Sequence, residues 1–343
     1  MNTSDSRINI HMYEIIPLVG IFIYICALSR YHFRHLPEEI NFFEERRLED
    51  PHLSQDLSQR QLEEPSNNFC IRGHQIPNVI FIGGMKCGTS TFASTMFNDF
   101  DWKGATLCNR TRVPYCKKEP HFFDMNNDIK IHDPRYAQLF PRCQKEQIVM
   151  DGTPANGAFL ENISKMYSKE QKNELLFLKL VCNPTKRYES AWNHCVRLNY
   201  AWAHSCDRKV SIDEQAIMSM EIKDINNIGK GLYDEEMKTF RKYFPNSELI
   251  LGSASYFYKN PGEFINVVLD KIGDKRVFLG KTLRIANKGP SGTKQYVKND
   301  TKAKLRAFFT PYMEAFKNLI QNDSKLTLVP SDITKFMEFA SAY

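Results

Sequence analysis

The apolar positions of this chain fall into short runs without polar alternation, each closed by a turn and followed by residues at helical spacing. Val79, Ile80, Phe81 and Ile82 form the first run, with the β-branched and aromatic content of a strand buried on both faces. A glycine-rich turn follows, and then a helix over 89–97 that buries Phe92, Met96 and Phe97. The same order returns twice. A short strand at 148–150 ends at Asp151, with Thr153 and Pro154 opening the next segment, and a strand at 175–182 ends at Asn183-Pro184 before a helix over 185–198. Further on, 248–252 and 276–279 predict two strands with a helix over 261–272 between them. Strands alternating with helices predict a parallel sheet with ligands at the carboxyl ends of its strands, where the first loop, Asp151 and Asn183 converge. The expected fold class is α/β: a P-loop-like, three-layer arrangement with a central parallel sheet flanked by helices, in a single catalytic domain.

Composition sets the frame around that domain. With 343 residues and 42% hydrophobic content, the chain suits one core of about 270 residues once its N-terminal region is set aside. Residues 15–29, IIPLVGIFIYICALS, carry no formal charge and are short against the roughly 20 that span a bilayer. They are read as a signal anchor, with 1–14 a short cytoplasmic tail, 30–76 a polar stem rich in Glu, Arg, Gln and Ser, and 77–343 the catalytic domain. Arg30 and Arg34 after the segment oppose a lumenal C-terminus. Glycosylation triplets at Asn109, Asn162, Asn299 and Asn322 downstream, against one at Asn2 upstream, favour one, as do nine cysteines. Cys26 lies in the apolar segment, and Cys87 and Cys182 occupy ligand-loop positions. Cys70, Cys108, Cys116, Cys143, Cys195 and Cys206 remain for disulfides, with Cys108–Cys116 and Cys195–Cys206 the first pairs expected. No zinc spacing occurs.

The candidate chemistry begins in the first loop. Gly83, Gly84 and Gly88 let the backbone bend closely around an anion, the helix N-terminus adds unpaired N–H groups, and Lys86 adds a full charge. Gly83 to Gly88 satisfies half of a Walker A loop, but Thr89 and Ser90 follow where Lys-Ser/Thr is required. The bland alternative for the segment alone is a glycine-rich turn with a solvated lysine. The run KKEPHFFD over 117–124 places Glu119 and His121 on one face if it is extended, a carboxylate to take a proton and an imidazole to orient it. From 271 to 306, eleven Lys or Arg stand against two Asp, in a chain of net charge +6, a concentration that attracts polyanions. Nucleic acid is not expected, because no helix-turn-helix, zinc finger or ribonucleoprotein signature accompanies the charge.

Taken together, these segments resemble the Golgi PAPS-dependent carbohydrate sulfotransferases, the glycosaminoglycan enzymes of heparan and chondroitin or dermatan type. (PAPS is 3′-phosphoadenosine 5′-phosphosulfate.) The loop resembles their Lys-x-Gly-Thr-[Ser/Thr] motif, which implies that Lys86, Cys87, Gly88, Thr89, Ser90 and Thr91 meet the 5′-phosphosulfate. KKEPHFFD resembles their Lys-Glu-x-His-Phe-Phe-Asp motif, which implies Glu119 as general base, assisted by His121. CNPTKRYES over 182–190 is similar to their 3′-phosphate motif, with Asn183, Pro184, Arg187 and Ser190 in register and Cys182 standing where the motif has arginine, which implies contacts from Ser190 and from Arg187, itself equally a structural charge of the helix. ANKGPSG, beginning at Ala286, resembles the late loop that closes over the nucleotide, which implies contacts from Lys288 and Gly289. Gly152 stands where heparan 3-O enzymes carry a lysine. The resemblance implies PAPS as co-substrate, no metal, an anionic glycan acceptor, and a single-pass type II Golgi membrane protein with a lumenal catalytic domain. Two alternatives stand beside it: a catalytically weakened PAPS-binding relative that partners an active enzyme, motivated by Cys182, and a P-loop kinase, for which Asp151 is the candidate magnesium ligand.

Overall fold

The continuous apolar runs become strands of one sheet, buried on both faces as their lack of alternation requires. A computed structural model describes residues 68–106, 117–198, 209–223, 227–280, 283, 285–286 and 294–341. A small antiparallel hairpin, β1 (Cys70–Ile71) and β2 (His74–Gln75), precedes β3 (Val79–Phe81) and α1 (Thr89–Asp99). Then come α2 (Phe122–Met125), α3 (Pro134–Ala137), β4 (Met150–Asp151), α4 (Leu160–Met166), α5 (Lys169–Glu174) and β5 (Leu176–Val181). Next are α6 (Pro184–Leu198), α7 (Ile212–Ile222), α8 (Tyr233–Tyr243), β6 (Glu248–Ser253), α9 (Ala254–Lys259) and α10 (Pro261–Lys271). The last elements are α11 (Asn299–Gln321), β7 (Leu326–Val329) and α12 (Ile333–Ser341).

The sheet has five parallel strands in the order β4-β3-β5-β6-β7. Successive residues of one strand serve opposite layers. Ile80, Phe177, Leu249 and Leu251 pack against α4, α8 and α11, whereas Val79, Phe81, Leu178 and Ile250 pack against α1, α9 and α10. Lys179 points into the first layer, fully buried, and is neutralised by Glu236 of α8 at 2.6 Å. From β3 the chain steps outward to β4 and then returns to the other side of β3 for β5. A topological switch point therefore opens between β3 and β5, where an open α/β sheet binds ligands.

Three expectations change. The strand expected at 276–279 is irregular: the Phe278 N–H donates to Asn266 Oδ1 at 2.7 Å, so its backbone is bound by a side chain and joins no ladder. β7 supplies the fifth strand instead, a short edge run at 326–329. The domain also reaches back before residue 77, because Phe69 and Ile76 lie in the core and Cys70 is disulfide-bonded to Cys143. The apolar segment 15–29 and the stem up to residue 67 lie outside the described residues, and no described helix is long and apolar enough to cross a membrane.

Candidate active site

The loop between β3 and α1 is shaped by its glycines and by what packs on it. Gly88 is the N-cap of α1 at φ 96, and a Cβ there would come within 2.9 Å of the Tyr258 hydroxyl. No side chain caps α1, so its first N–H groups stay directed at the crevice. Lys86 is half-buried beside this end, at φ 74. Burial, with repulsion from Arg197 and Lys118, lowers its pKa to about 8, while Glu119 works in the other direction. Thr91, expected to meet the nucleotide, has its hydroxyl 3.3 Å from that of Tyr258, and the same oxygen accepts from the Ala286 N–H at 3.3 Å. Thr91 thereby joins the loop to the start of the late segment. Lys288 and Gly289 lie outside the described residues.

Glu119 stands opposite. The segment that carries it is not extended: His121 takes a left-handed conformation, φ 53, and caps the single turn α2. A tight turn, rather than strand alternation, brings His121 Nε2 within 3.3 Å of Glu119 Oε2. The other ring nitrogen, Nδ1, lies 2.7 Å from Asp124 Oδ2. Burial opposes a charged imidazole, but the two carboxylates outweigh it and push the His121 pKa up to about 10. Lys118 pairs with the remaining oxygen of Glu119 and donates to Thr89 Oγ1 at 3.2 Å and Ser90 Oγ at 3.0 Å. Burial alone would raise the Glu119 pKa; His121 and Lys118 reverse this and hold the carboxylate below its ordinary range, ionised. Thus Lys86, Gly88, Thr89, Ser90, Glu119 and His121, separate in sequence, line one end of the switch point.

The other end departs from expectation. Cys87 and Cys182 are bonded to each other, joining the first loop to the end of β5 across the switch point. The position that carries arginine in the motif is therefore one half of a covalent strap, and Cys87 is buried and offers no free thiol. Of the cysteines reserved for disulfides, Cys70 and Cys143 pair together; Cys195 is also bonded, and Cys108, Cys116 and Cys206 lie outside the described residues. Arg187 takes the structural one of its two expected roles. It is fully buried and its guanidinium donates to the Asn227 backbone oxygen, so it locks α6 to the segment before α8 and does not face the crevice. Ser190 stays half-buried on α6. Asp151 is fully buried and accepts from Tyr136 Oη, the Thr153 N–H and Asn156 Nδ2 at 2.9, 2.9 and 3.1 Å, which leaves it a structural knot rather than a magnesium ligand. Asn162, a glycosylation triplet, donates its Nδ2 to Phe123 O and Asn126 O at 3.1 and 3.2 Å and is tied into the fold.

Sequence reasoning missed three cations and an imidazole. Lys118 was hidden beside Glu119 as one more charge. His194 and Arg197 come from the far end of α6, with Arg197 Nη2 donating to His194 Nδ1 at 3.2 Å. Burial first, then Lys86 and Arg197, lowers the His194 pKa to about 4, so this ring is neutral near pH 7 and accepts that bond. Lys294, from the basic stretch, acts on Lys86 as well. His194 and Arg197 were legible only as helix residues, since their approach to the loop depends on how α6 leaves β5.

No family model and no curated relative matches the chain. A solved structure does: the crystal structure of a sulfotransferase from Alicyclobacillus acidocaldarius superposes with a TM-score of 0.50 over 72% of this chain and 96% of that one, at 18% identity. The domain thus has the sulfotransferase fold, an α/β fold with a central parallel sheet between helical layers. At that identity the likeness is one of fold, and the chemistry has to be argued from this chain's own residues.

Proposed function

We propose that this chain is a PAPS-dependent carbohydrate sulfotransferase that acts on a hydroxyl of an anionic glycan, a glycosaminoglycan of heparan or chondroitin/dermatan type, in the Golgi lumen behind an N-terminal signal anchor. The observation that carries the reading is that Glu119 is joined through Lys118 to the hydroxyls of Thr89 and Ser90 at the uncapped start of α1. A proton acceptor and an anion cradle thereby share one hydrogen-bonded cluster at the switch point. The residues fit the sulfated end of the donor: Gly88 leaves the backbone bare, Lys86 brings a cation, and Thr89 and Ser90 bring hydroxyls. The fit is poorer at the 3′-phosphate, where Ser190 remains but Cys182 and Arg187 are otherwise engaged.

The donor supplies the sulfuryl group and departs as 3′,5′-ADP. Glu119 takes the proton of the acceptor hydroxyl as that oxygen bonds to sulfur and the bond from sulfur to the 5′-phosphate oxygen breaks, the electron pair leaving with the phosphate. Lys86 and the first N–H groups of α1 hold the charge that grows there. His121, clamped by Asp124, keeps the carboxylate oriented. Catalysis of this kind is positioning plus electrostatics.

The second reading, a weakened PAPS-binding partner, is favoured by the lost guanidinium at Cys182. Transfer of labelled sulfate from PAPS to a panel of desulfated glycosaminoglycans separates the two. Wild type is expected to label at least one acceptor, and Glu119→Gln to lower turnover by about 10²- to 10⁴-fold, with Lys86→Ala also strongly impaired. Full activity in Glu119→Gln would remove Glu119 from the base role; an inactive wild type that binds 3′,5′-ADP would favour the partner reading.

A further inference from the structure

Lys118 is the most completely buried cation of the crevice, its side chain 11% exposed. Its stem crosses Gly152: a Cβ on Gly152 would meet Lys118 Cγ and the Lys118 carbonyl at 3.0 Å each, and the Gly152 N–H donates to that carbonyl at 2.9 Å. Gly152, the position at which a lysine is absent relative to the heparan 3-O enzymes, is thus bare because Lys118 occupies the space above it. From there the ammonium reaches three oxygens, one each on Glu119, Thr89 and Ser90.

We infer that Lys118 is the positioning residue of the reaction, the group that holds the Glu119 carboxylate ionised and aimed at the anion loop. The inference rests on the sulfotransferase reading for its catalytic meaning, but the coupling of Lys118 to Glu119 stands on geometry alone. Every charged group facing this pair is accounted for. Glu119 meets Lys118 on one oxygen and His121 on the other, with Asp124 behind the imidazole. Lys86 and the neutral His194 face Glu119 from the loop and from α6, and Asp151 of β4 faces Lys118. His121 is anchored by its own carboxylate partner, Asp124, whereas Lys118 links the base directly to the residues that would hold the donor. Removing the ammonium leaves Glu119 buried and ion-paired to His121 alone, and its proton affinity must rise.

The test compares wild type, Lys118→Met, which keeps the stem over Gly152, and Lys118→Arg, which keeps the charge. Titration of the Glu119 carboxyl by ¹³C NMR needs no turnover: Lys118→Met is expected to move its midpoint up by about 1 to 3 pH units, and Lys118→Arg by less. In the sulfate-transfer assay the acid limb of the rate profile is expected to move up with it, costing about tenfold per pH unit on that limb, while 3′,5′-ADP still binds Lys118→Met. An unmoved Glu119 midpoint overturns the inference, as does loss of 3′,5′-ADP binding with the acid limb in place, which would make Lys118 a prop for the loop only. A wild-type protein that transfers no sulfate would instead overturn the functional reading, and the NMR midpoints would still decide the coupling.

Discussion

Glu119 favours the charged form of Lys86, but burial and the neighbouring cations Arg197 and Lys118 outweigh it. Lys86 is kept below its ordinary lysine range by burial and by neighbouring cations, and it is cationic only below about pH 8. In the free protein the charge is complete at neutral pH and lost as pH rises through that value, so affinity for 3′,5′-ADP should decline above about pH 8. Binding measured across that range checks this, and Lys86→Arg should carry the plateau to higher pH, since a guanidinium does not titrate there. A flat wild-type profile would mean that Lys86 does not meet the ligand. At this scale the sequence disclosed the residues whose chemistry is local: Lys86 inside its glycine turn and Glu119 two positions from His121. It concealed His194 and Arg197, because a helix residue's approach to a distant loop is set by packing, and it left Arg187 open between ligand and structural helix charge because buried and exposed arginines look alike in a motif.

Between elements, the Cys87–Cys182 disulfide fastens the loop after β3 to the end of β5, residues 95 apart in sequence. Tyr233 of α8 braces the same point, donating to the Cys182 carbonyl at 2.8 Å. Opening the strap in Cys87→Ala/Cys182→Ala should cost roughly 2–5 kcal/mol of stability, seen as a lower Tm, and should weaken 3′,5′-ADP binding by loosening the cradle. Adding arginine instead, in Cys87→Ala/Cys182→Arg, should recover affinity relative to the double alanine variant, because a bidentate donor returns where the motif expects one. No gain would show that this position does not face a 3′-phosphate. The strands at 79–81, 176–181 and 248–253 were legible because double-sided burial leaves uninterrupted apolar runs. β7 was not, as an edge strand of four residues leaves a weak pattern, and the turn at His121 was not, as nothing local in KKEPHFFD announces a left-handed histidine. The strap was invisible because pairing across β3 and β5 follows from the strand order.

Across the whole molecule, fold and site agree with one another. The strand order places the switch point between β3 and β5; the first loop and the start of α6 open onto it from the carboxyl ends of those two strands, and the Glu119 segment is tied to it through Lys118. The basic stretch around 271–306, from which Lys294 acts on Lys86, would supply long-range attraction for the anionic donor and acceptor proposed above. A kinase would need a Gly-Lys-Ser/Thr loop and a free magnesium carboxylate; Thr89 and Ser90 replace the first, and Asp151 is spent on Tyr136, Thr153 and Asn156. The most direct measurement is isothermal titration of the purified protein with 3′,5′-ADP, set beside ATP with magnesium. The account predicts saturable one-to-one binding of 3′,5′-ADP that Lys86→Ala removes and ATP with magnesium does not match. No measurable 3′,5′-ADP binding, or preferential binding of ATP with magnesium, would contradict it.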